Sequence, residues 1–196
     1  TTDLEPGSAI EQPKSAKTID DFNIVAVLGR GSFGKVYLVR HKKRNELLAM
    51  KVMKKSDILE RNVHDNIKQE RRVLAAIDNP YLVKLRYAFQ THEKLFLLMT
   101  YHGGGEMFTK LDRDQGFIER DGRFYAEEVI IAFHYLHSNN IIYRDLKPEN
   151  VLFQKNGHLC LTDFGFAKKF ANAVDGELAT SFCGSLQYMA PEVVKK

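Results

Sequence analysis

Cysteine is scarce. Cys160 and Cys183 are the only two, and neither stands in a Cys-x-x-Cys arrangement. No disulfide framework or cysteine-ligated zinc site is implied, and a reducing, cytosolic compartment fits. No apolar run reaches the length of a bilayer, so no membrane span is expected. The N-terminal residues, beginning at Thr1, carry neither a signal-peptide pattern nor a lipidation motif. Internal repeats are lacking. Charge of one sign is not in great excess: a net +4 is too mild to argue for nucleic acid. Against these absences stands an ordinary soluble, globular composition, 44% hydrophobic and 28% charged over 196 residues. That length suits one domain or a little more. The expectation is a monomer of the cytoplasm or nucleus with no nucleic-acid partner.

Residues 1–17 are polar, contain Pro6, Gly7 and Pro13, and show no periodicity. They read as a disordered leader, with order beginning near Asp21. Residues 22–29 are β-branched and apolar, as are 35–40 and 47–53, so three consecutive strands form an antiparallel meander. Residues 57–77 are charged, with Ile67, Val73, Leu74 and Ile77 at helical spacing. Pro80 follows that helix, as expected past a helix end. Two further strands fall at 82–89 and 94–101, after which Gly103-Gly104-Gly105 breaks the pattern. The stretch 121–137 is strongly helical and apolar on most sides, so much of it should be buried. Strand-like pieces at 151–154 and 158–162 flank Asn156-Gly157, a hairpin signal.

The glycines of Gly29-Arg30-Gly31-Ser32-Phe33-Gly34-Lys35-Val36 have the form G-x-G-x-x-G-x-V. A dinucleotide-binding fold uses similar glycines, but there they follow a strand and open a helix. Here they join two strands. That favours a glycine-rich hairpin over phosphates, where missing side chains let backbone amides approach an anion. A mobile hairpin with no ligand is the plain alternative. Lys51, in Ala49-Met50-Lys51, either points to solvent or serves as a cation for phosphates. Such a lysine needs a carboxylate to hold it. Glu70 is favoured because Val73-Leu74 should turn that part of its helix inward, and Glu60 competes.

Further on lie Tyr143-Arg144-Asp145-Leu146-Lys147-Pro148-Glu149-Asn150 and Asp163-Phe164-Gly165. These have the forms x-R-D-x-x-x-x-N and D-F-G. They offer two carboxylates, a lysine and an amide to a metal-bound triphosphate and a substrate hydroxyl. Taken singly, Asp145 could be a turn aspartate and Asn150 a cap. Both motifs in order, behind the glycine loop and Lys51, are far more specific.

With these residues the sequence resembles a eukaryotic protein kinase. Within that superfamily it is similar to the AGC serine/threonine group, the relatives of protein kinases A, G and C. The group-level likeness rests on Leu97-Leu98-Met99-Thr100-Tyr101-His102-Gly103-Gly104-Gly105-Glu106-Met107-Phe108, on Tyr143 before Arg144-Asp145, and on Ser181-Phe182-Cys183-Gly184-Ser185 with Tyr188-Met189-Ala190-Pro191-Glu192. The Ser-Phe-Cys-Gly and Tyr-Met-Ala-Pro-Glu elements lean towards the ribosomal-protein kinase branch. Asp163-Phe164-Gly165-Phe166-Ala167-Lys168 is closer to protein kinase A.

The resemblance implies an α+β, bilobal kinase-like fold. A leader (1–20) precedes an N-lobe with hinge (21–102), a five-stranded antiparallel sheet plus one helix, and a partial helical C-lobe (103–196). It implies transfer of the γ-phosphoryl of ATP to a protein serine or threonine, mostly by positioning and charge neutralisation. Asp145 would orient the substrate hydroxyl and Lys147 would neutralise the γ-phosphate, with Lys51 and Glu70 as the ion pair. Asn150 and Asp163 would hold Mg²⁺. The loop Leu28, Gly29, Arg30, Gly31, Ser32, Phe33, Gly34, Lys35 and Val36 would cover the nucleotide. Leu28, Val36, Ala49 and Val83 would roof the adenine above Leu152, and Met99 would guard the back. Backbone groups of Thr100 and His102 would pair with its edge. Leu74, Leu85, Tyr143 and Phe164 match an apolar spine linking the lobes.

Glu106 and Glu149 match acidic positions that receive arginines upstream of the target residue, which implies basic substrates; Glu106 also belongs to the nucleotide set. Ser181 matches the activation-loop site of an upstream kinase, and its phosphate would pair with Arg144 and Lys168. Thr100 stands where the group has glutamate. Ser185-Leu186-Gln187 replaces Thr-Pro-Glu, with the Ser185 hydroxyl expected to bond Asp145 and Lys147. The sequence stops at Lys196, where the resemblance implies further C-lobe helices. Without them Glu192 would lack its arginine and the 121–137 helix would expose apolar faces. A non-catalytic, nucleotide- or regulator-binding module is the competing reading, and a dinucleotide-dependent oxidoreductase rests on the glycines alone.

Overall fold

A computed structural model describes residues 17–31, 34–170 and 183–195. Most of the leader, Ser32, Phe33 and Ser181 lie outside the described residues. Order starts before Asp21. Ile19–Asp21 form a 3-10 turn in which the Thr18 amide donates to Asp21 Oδ2 at 3.1 Å. The Lys42 amide then donates to the Asp21 carbonyl, tying the turn to the sheet.

Five strands form one antiparallel sheet: β1 (Phe22–Gly31), β2 (Gly34–His41), β3 (Leu47–Lys54), β4 (Leu85–Gln90) and β5 (Lys94–Thr100), in the order β1-β2-β3-β5-β4. Alternation along the strands divides the sheet into two faces. The outer face packs Phe22, Val39, Leu48, Met50, Tyr87, Phe96 and Leu98 together. The inner face puts Met53 and Leu97 against Ile67, Val73 and Leu74 of a helix. That inner core continues without a break through Val83, Tyr143 and Phe164 to Ala132 and Leu136.

The helix expected over 57–77 is two helices, α1 (Lys55–Glu60) and α2 (His64–Ala76). Asn62 sits between them with φ 52°. Its amide donates to the Leu59 carbonyl and the Val63 amide to the Ile58 carbonyl. This is a Schellman termination, in which an asparagine tolerates the left-handed position better than most residues.

Beyond the hinge, α3 (Met107–Asp114) forms where no element was expected. It is followed by α4 (Glu119–Ser138), which covers the expected 121–137. The broad burial foreseen for α4 is not found. Its buried residues, Glu128, Ala132 and Leu136, form one i, i+4, i+8 line. Phe124, Ile130 and Ile131 are exposed. The rest is short: β6 (Ile141–Ile142), β7 (Val151–Phe153), β8 (Leu159–Leu161), β9 (Lys168–Lys169) and α5 (Pro191–Val194), with β6 pairing β9 and β7 pairing β8. The β7–β8 hairpin turns at the expected Asn156-Gly157, with Gly157 at φ 87°. Among the described residues no helix is long and apolar enough to cross a membrane.

Candidate active site

A cleft of about 430 Å³ opens between the inner side of the sheet and the β7–β8 hairpin. Leu28, Val36, Ala49 and Val83 line its upper wall, Leu152 its floor and Met99 its end. The hinge residues Thr100 and His102 and the carboxylates Glu106 and Glu149 border it too. The wall residues come from β1, β2 and β3 and from the segment just before β4. They converge because β2 and β3 pair in register, with Val36 opposite Lys51 and Leu38 opposite Ala49.

Gly34 and Lys35 border a second cavity of about 630 Å³, with Tyr37, Lys54 and Lys94. Strand alternation accounts for the Lys35 side chain: Val36 takes the cleft side, so Lys35 and Tyr37 take the opposite one. Gly34 is required by packing. A Cβ there would lie 2.0 Å from the Val52 carbonyl oxygen, so the glycine allows β2 to approach β3.

At the inner end of the cleft Lys51 and Glu70 form a buried ion pair, Nζ to Oε1 2.6 Å. The helix places Glu70 inward; Glu60 lies exposed on α1. Asp163 Oδ1 is 3.6 Å from the same ammonium. Burial alone would lower the Lys51 pKa, but the charges of Glu70 and Asp163 outweigh it and hold it above its ordinary value. Asp163 itself is exposed and left-handed at φ 51°, which turns the carboxylate back towards Lys51.

The catalytic-loop candidates lie between β6 and β7. Asp145 is buried, and donors meet both oxygens of its carboxylate. Oδ1 accepts from the Ser185 amide at 3.0 Å and its hydroxyl at 2.9 Å. Oδ2 accepts from Asn150 Nδ2 at 2.8 Å and faces Lys147 Nζ at 2.9 Å. Lys147 also donates to Ser185 Oγ at 2.8 Å. Ser185 thus makes both bonds expected of its hydroxyl. Gly184 makes this possible: it has φ 110°, and a Cβ would meet the Arg144 carbonyl oxygen at 2.5 Å.

Asn150 Nδ2 donates to the Asp145 carbonyl as well as its carboxylate, so its amide oxygen is the group left for a cation. The Asn150 carbonyl accepts the Thr162 amide at 2.9 Å and, with Thr162 Oγ1, anchors the chain one residue before Asp163. The hairpin therefore carries both metal candidates at its open end. No group of three or more metal-binding acidic, histidine or cysteine side chains exists among the described residues. A donor set of one carboxylate and one amide suits Mg²⁺, which keeps waters and phosphate oxygens in most of its positions, better than a fully protein-ligated ion. The mixed apolar walls and inner cation of the cleft likewise suit a purine attached to phosphates.

Residues 22–196 match the protein family described as Protein kinase domain. The chain belongs to the protein kinase family. It is 47% identical over 184 residues to Protein kinase 3 of Dictyostelium discoideum, covering 90% of this chain and 20% of that protein. It is 45% identical over 177 residues to the serine/threonine-protein kinase AtPK1/AtPK6 of Arabidopsis thaliana, covering 90% and 37%. To the serine/threonine-protein kinase Sgk1 of Homo sapiens it is 46% identical over 177 residues, covering 90% and 41%. The chain thus spans between a fifth and about two fifths of these relatives' lengths. The last two of these relatives are named serine/threonine-protein kinases.

The kinase fold also uses residues that the sequence did not single out. Thr162 borders the cleft and receives the Tyr143 hydroxyl at its carbonyl. Glu128 of α4 accepts the Leu159 amide at 2.8 Å and bonds His158, so it grips the closed end of the hairpin. A buried carboxylate there was not legible, because neighbouring Glu127 and Glu128 look alike without the helix phase. The spine candidates Leu74, Tyr143 and Phe164 share one core with Leu85 packed against it, and the Tyr143 and Phe164 rings meet edge-on at 5.2 Å.

Proposed function

We propose that this kinase domain transfers the γ-phosphoryl group of Mg-ATP to serine or threonine hydroxyls of proteins. The observation that carries the reading is the convergence of Asp145, Lys147, Asn150 and Asp163 at the mouth of a cleft whose inner end holds Lys51 and Glu70. Lys51 is the cation for the α- and β-phosphates, and Glu70 keeps it extended into the cleft. Asn150 and Asp163 hold Mg²⁺, which when bound neutralises phosphate charge. Asp145 accepts a hydrogen bond from the substrate hydroxyl and takes its proton, while Lys147 faces the transferred group. Its carboxylate is held by Ser185 and Asn150 from two sides, so a substrate hydroxyl meets a base already oriented.

Glu106 and Glu149, exposed at the rim, favour substrates with arginine upstream of the acceptor. Ser181 is the site of an activating phosphate supplied by another kinase. The support is Arg144, held left-handed at φ 68° with its Nε on the Phe166 carbonyl at 2.7 Å. Its buried Nη1 finds no partner among the described residues. A phosphate on Ser181 would supply one. The domain acts as a monomer in the cytoplasm or nucleus.

The test is phosphate transfer from Mg-ATP to serine, threonine and tyrosine peptides with and without upstream arginine. Preference for arginine-bearing serine or threonine peptides, reduced by Glu106→Gln and Glu149→Gln, supports the reading. Nucleotide binding with no transfer to any peptide, even after Ser181 is phosphorylated, overturns it in favour of a binding module.

A further inference from the structure

We propose that Glu128 of α4 is a positioning residue for the divalent cation, because it ties the β7–β8 hairpin that presents Asp163 to the helix that carries the catalytic loop. The inference rests on the kinase reading above. Glu128 does not border the cleft, so its effect reaches the cation only through the hairpin.

Glu128 is 3% exposed, a depth at which an unpartnered carboxylate is costly. Its partners lie at the start of β8. Oε2 accepts the Leu159 amide at 2.8 Å, and Oε1 meets His158 Nδ1. The His158 ring lies against Phe124 of α4 at 5.7 Å and against Tyr81 at 6.2 Å. β8 turns two amides away from β7. The Leu161 amide donates to the Tyr81 carbonyl at 2.8 Å, and the Leu159 amide goes to Glu128. A side chain thus takes the acceptor place that a third strand would fill.

The other ties of the hairpin run elsewhere. Gln154 Nε2 donates to the Pro80 carbonyl at 2.8 Å, and the Val83 amide donates to the Leu161 carbonyl at 2.9 Å. Phe153 bonds Gly104 and Gly105 of the hinge. These contacts lead to the sheet and the hinge. No other side chain of α4 bonds the hairpin among the described residues. From α4 the chain passes through β6 into the catalytic loop, so the bond between Glu128 and Leu159, 31 residues apart, closes a ring around Asp145, Lys147 and Asn150. Asp163 lies just outside that ring. It follows Leu159 by about 13 Å at strand spacing, and the β7–β8 ladder carries a shift at one end to the other. The Asn150 side chain is held from the catalytic loop by Asp145. A hairpin released from α4 therefore moves Asp163 against Asn150. Mg²⁺ demands near-ideal octahedral geometry, so a pair of protein ligands drifting apart weakens its binding.

Three variants separate positioning from mere support. Glu128→Gln keeps an oxygen for the Leu159 amide and an NH₂ for His158 Nδ1. Glu128→Asp keeps the charge but is one methylene short, so the hairpin must shift to reach it. Glu128→Leu removes both bonds. ATP affinity is measured by calorimetry with Mg²⁺ and with EDTA, and circular dichroism confirms folding. Mg²⁺ should tighten ATP binding by the wild-type chain. Glu128→Asp and Glu128→Leu should bind metal-free ATP as the wild type does, since Lys51 and the apolar walls are untouched. They should lose about tenfold of the tightening by Mg²⁺, the low end of what outer partners of a metal site are worth. Glu128→Gln should keep it. Where Glu128→Leu does not fold, Glu128→Asp decides alone. Equal weakening of metal-free and Mg²⁺-bound ATP, full tightening in folded Glu128→Asp, or a Glu128→Gln as impaired as Glu128→Asp overturns the inference and leaves the kinase reading standing. No ATP binding by the wild type, or binding that Mg²⁺ does not tighten, overturns the metal reading as well.

Discussion

Replacing Glu70 by glutamine separates what the buried ion pair does for the fold from what it does for the reaction. Lys51 is 6% exposed and Glu70 1%, and their contact is 2.6 Å. Removing one partner of a buried pair leaves the other charge uncompensated and costs about 3–5 kcal/mol. Two features place Glu70→Gln at the low end of that range. The amide oxygen can still accept one bond from Lys51, and Asp163 remains 3.6 Å from the ammonium. The Lys51 pKa is held above its ordinary 10.5. By linkage the Lys51 share of the stabilisation is present across neutral pH and is lost as pH rises past that value, whereas burial holds the Glu70 pKa above its ordinary 4.5, so on acidification the pair is lost to protonation of Glu70 sooner than it would be for an exposed glutamate. Urea unfolding at pH 7 should show a loss of about 3 kcal/mol. Peptide phosphorylation should fall far more, because Lys51 is then free to lean towards Asp163 and away from the nucleotide. A second variant, Lys51→Met with Glu70→Leu, should recover much of the stability, since well-packed apolar side chains often match or exceed a buried ion pair. It should recover no transfer. Unchanged stability in Glu70→Gln, or a double variant as active as the wild type, would refute the reasoning.

Three other perturbations bear on the fold and the loop. Gly184→Ala puts a Cβ 2.5 Å from the Arg144 carbonyl at a φ of 110°. About 1–3 kcal/mol of strain should pull Ser185 off Asp145 and lower peptide transfer about 100-fold, with ATP affinity little changed in a binding titration. Burial pushes the Cys160 thiol up to about 12. Alkylation at neutral pH should therefore label the half-buried Cys183 first and Cys160 only on unfolding, as mass spectrometry would read. Because the unfolded thiol ionises near 9.0, this site lowers stability as pH rises above that value. Asn62→Ala forces a β-carbon residue without the asparagine's local bonding into φ 52° and should cost about 1 kcal/mol, whereas Asn62→Gly should cost nothing or stabilise; thermal unfolding distinguishes them.

The candidate site of this domain was legible because it is made of residue types with few alternative uses at fixed spacing. Asp145, Lys147, Asn150 and Asp163 announce themselves, and the geometry that joins them comes from the β7–β8 hairpin, marked by Asn156-Gly157. The Lys51–Glu70 pairing could be read because Val73-Leu74 sets the inward face of α2. Other features depend on phase or register, which local composition does not fix. Ile130 and Ile131 are more apolar than Ala132, yet they face outward while Ala132 lies on the buried line with Glu128 and Leu136. Lys35 sits within the glycine motif but on the far side of the sheet, because the pleat alternates. Of the residues in α3 only Met107 is buried, so its polar stretch carried little periodic signal. The break at Asn62 was hidden because charged residues continue on both sides of it and the apolar helical spacing resumes at Ile67.

The most direct test compares the wild-type chain with Asp145→Asn in two assays side by side: ATP binding, and phosphate transfer to an arginine-bearing serine peptide. Asparagine preserves size and some of the bonds to Ser185 but cannot take a proton. Equal ATP affinity with transfer reduced about 100- to 10,000-fold, the usual share of a general base, is the result predicted. Equal transfer by both chains would contradict the assignment of Asp145, and ATP binding without transfer by either, with Ser181 phosphorylated, would contradict the kinase activity itself.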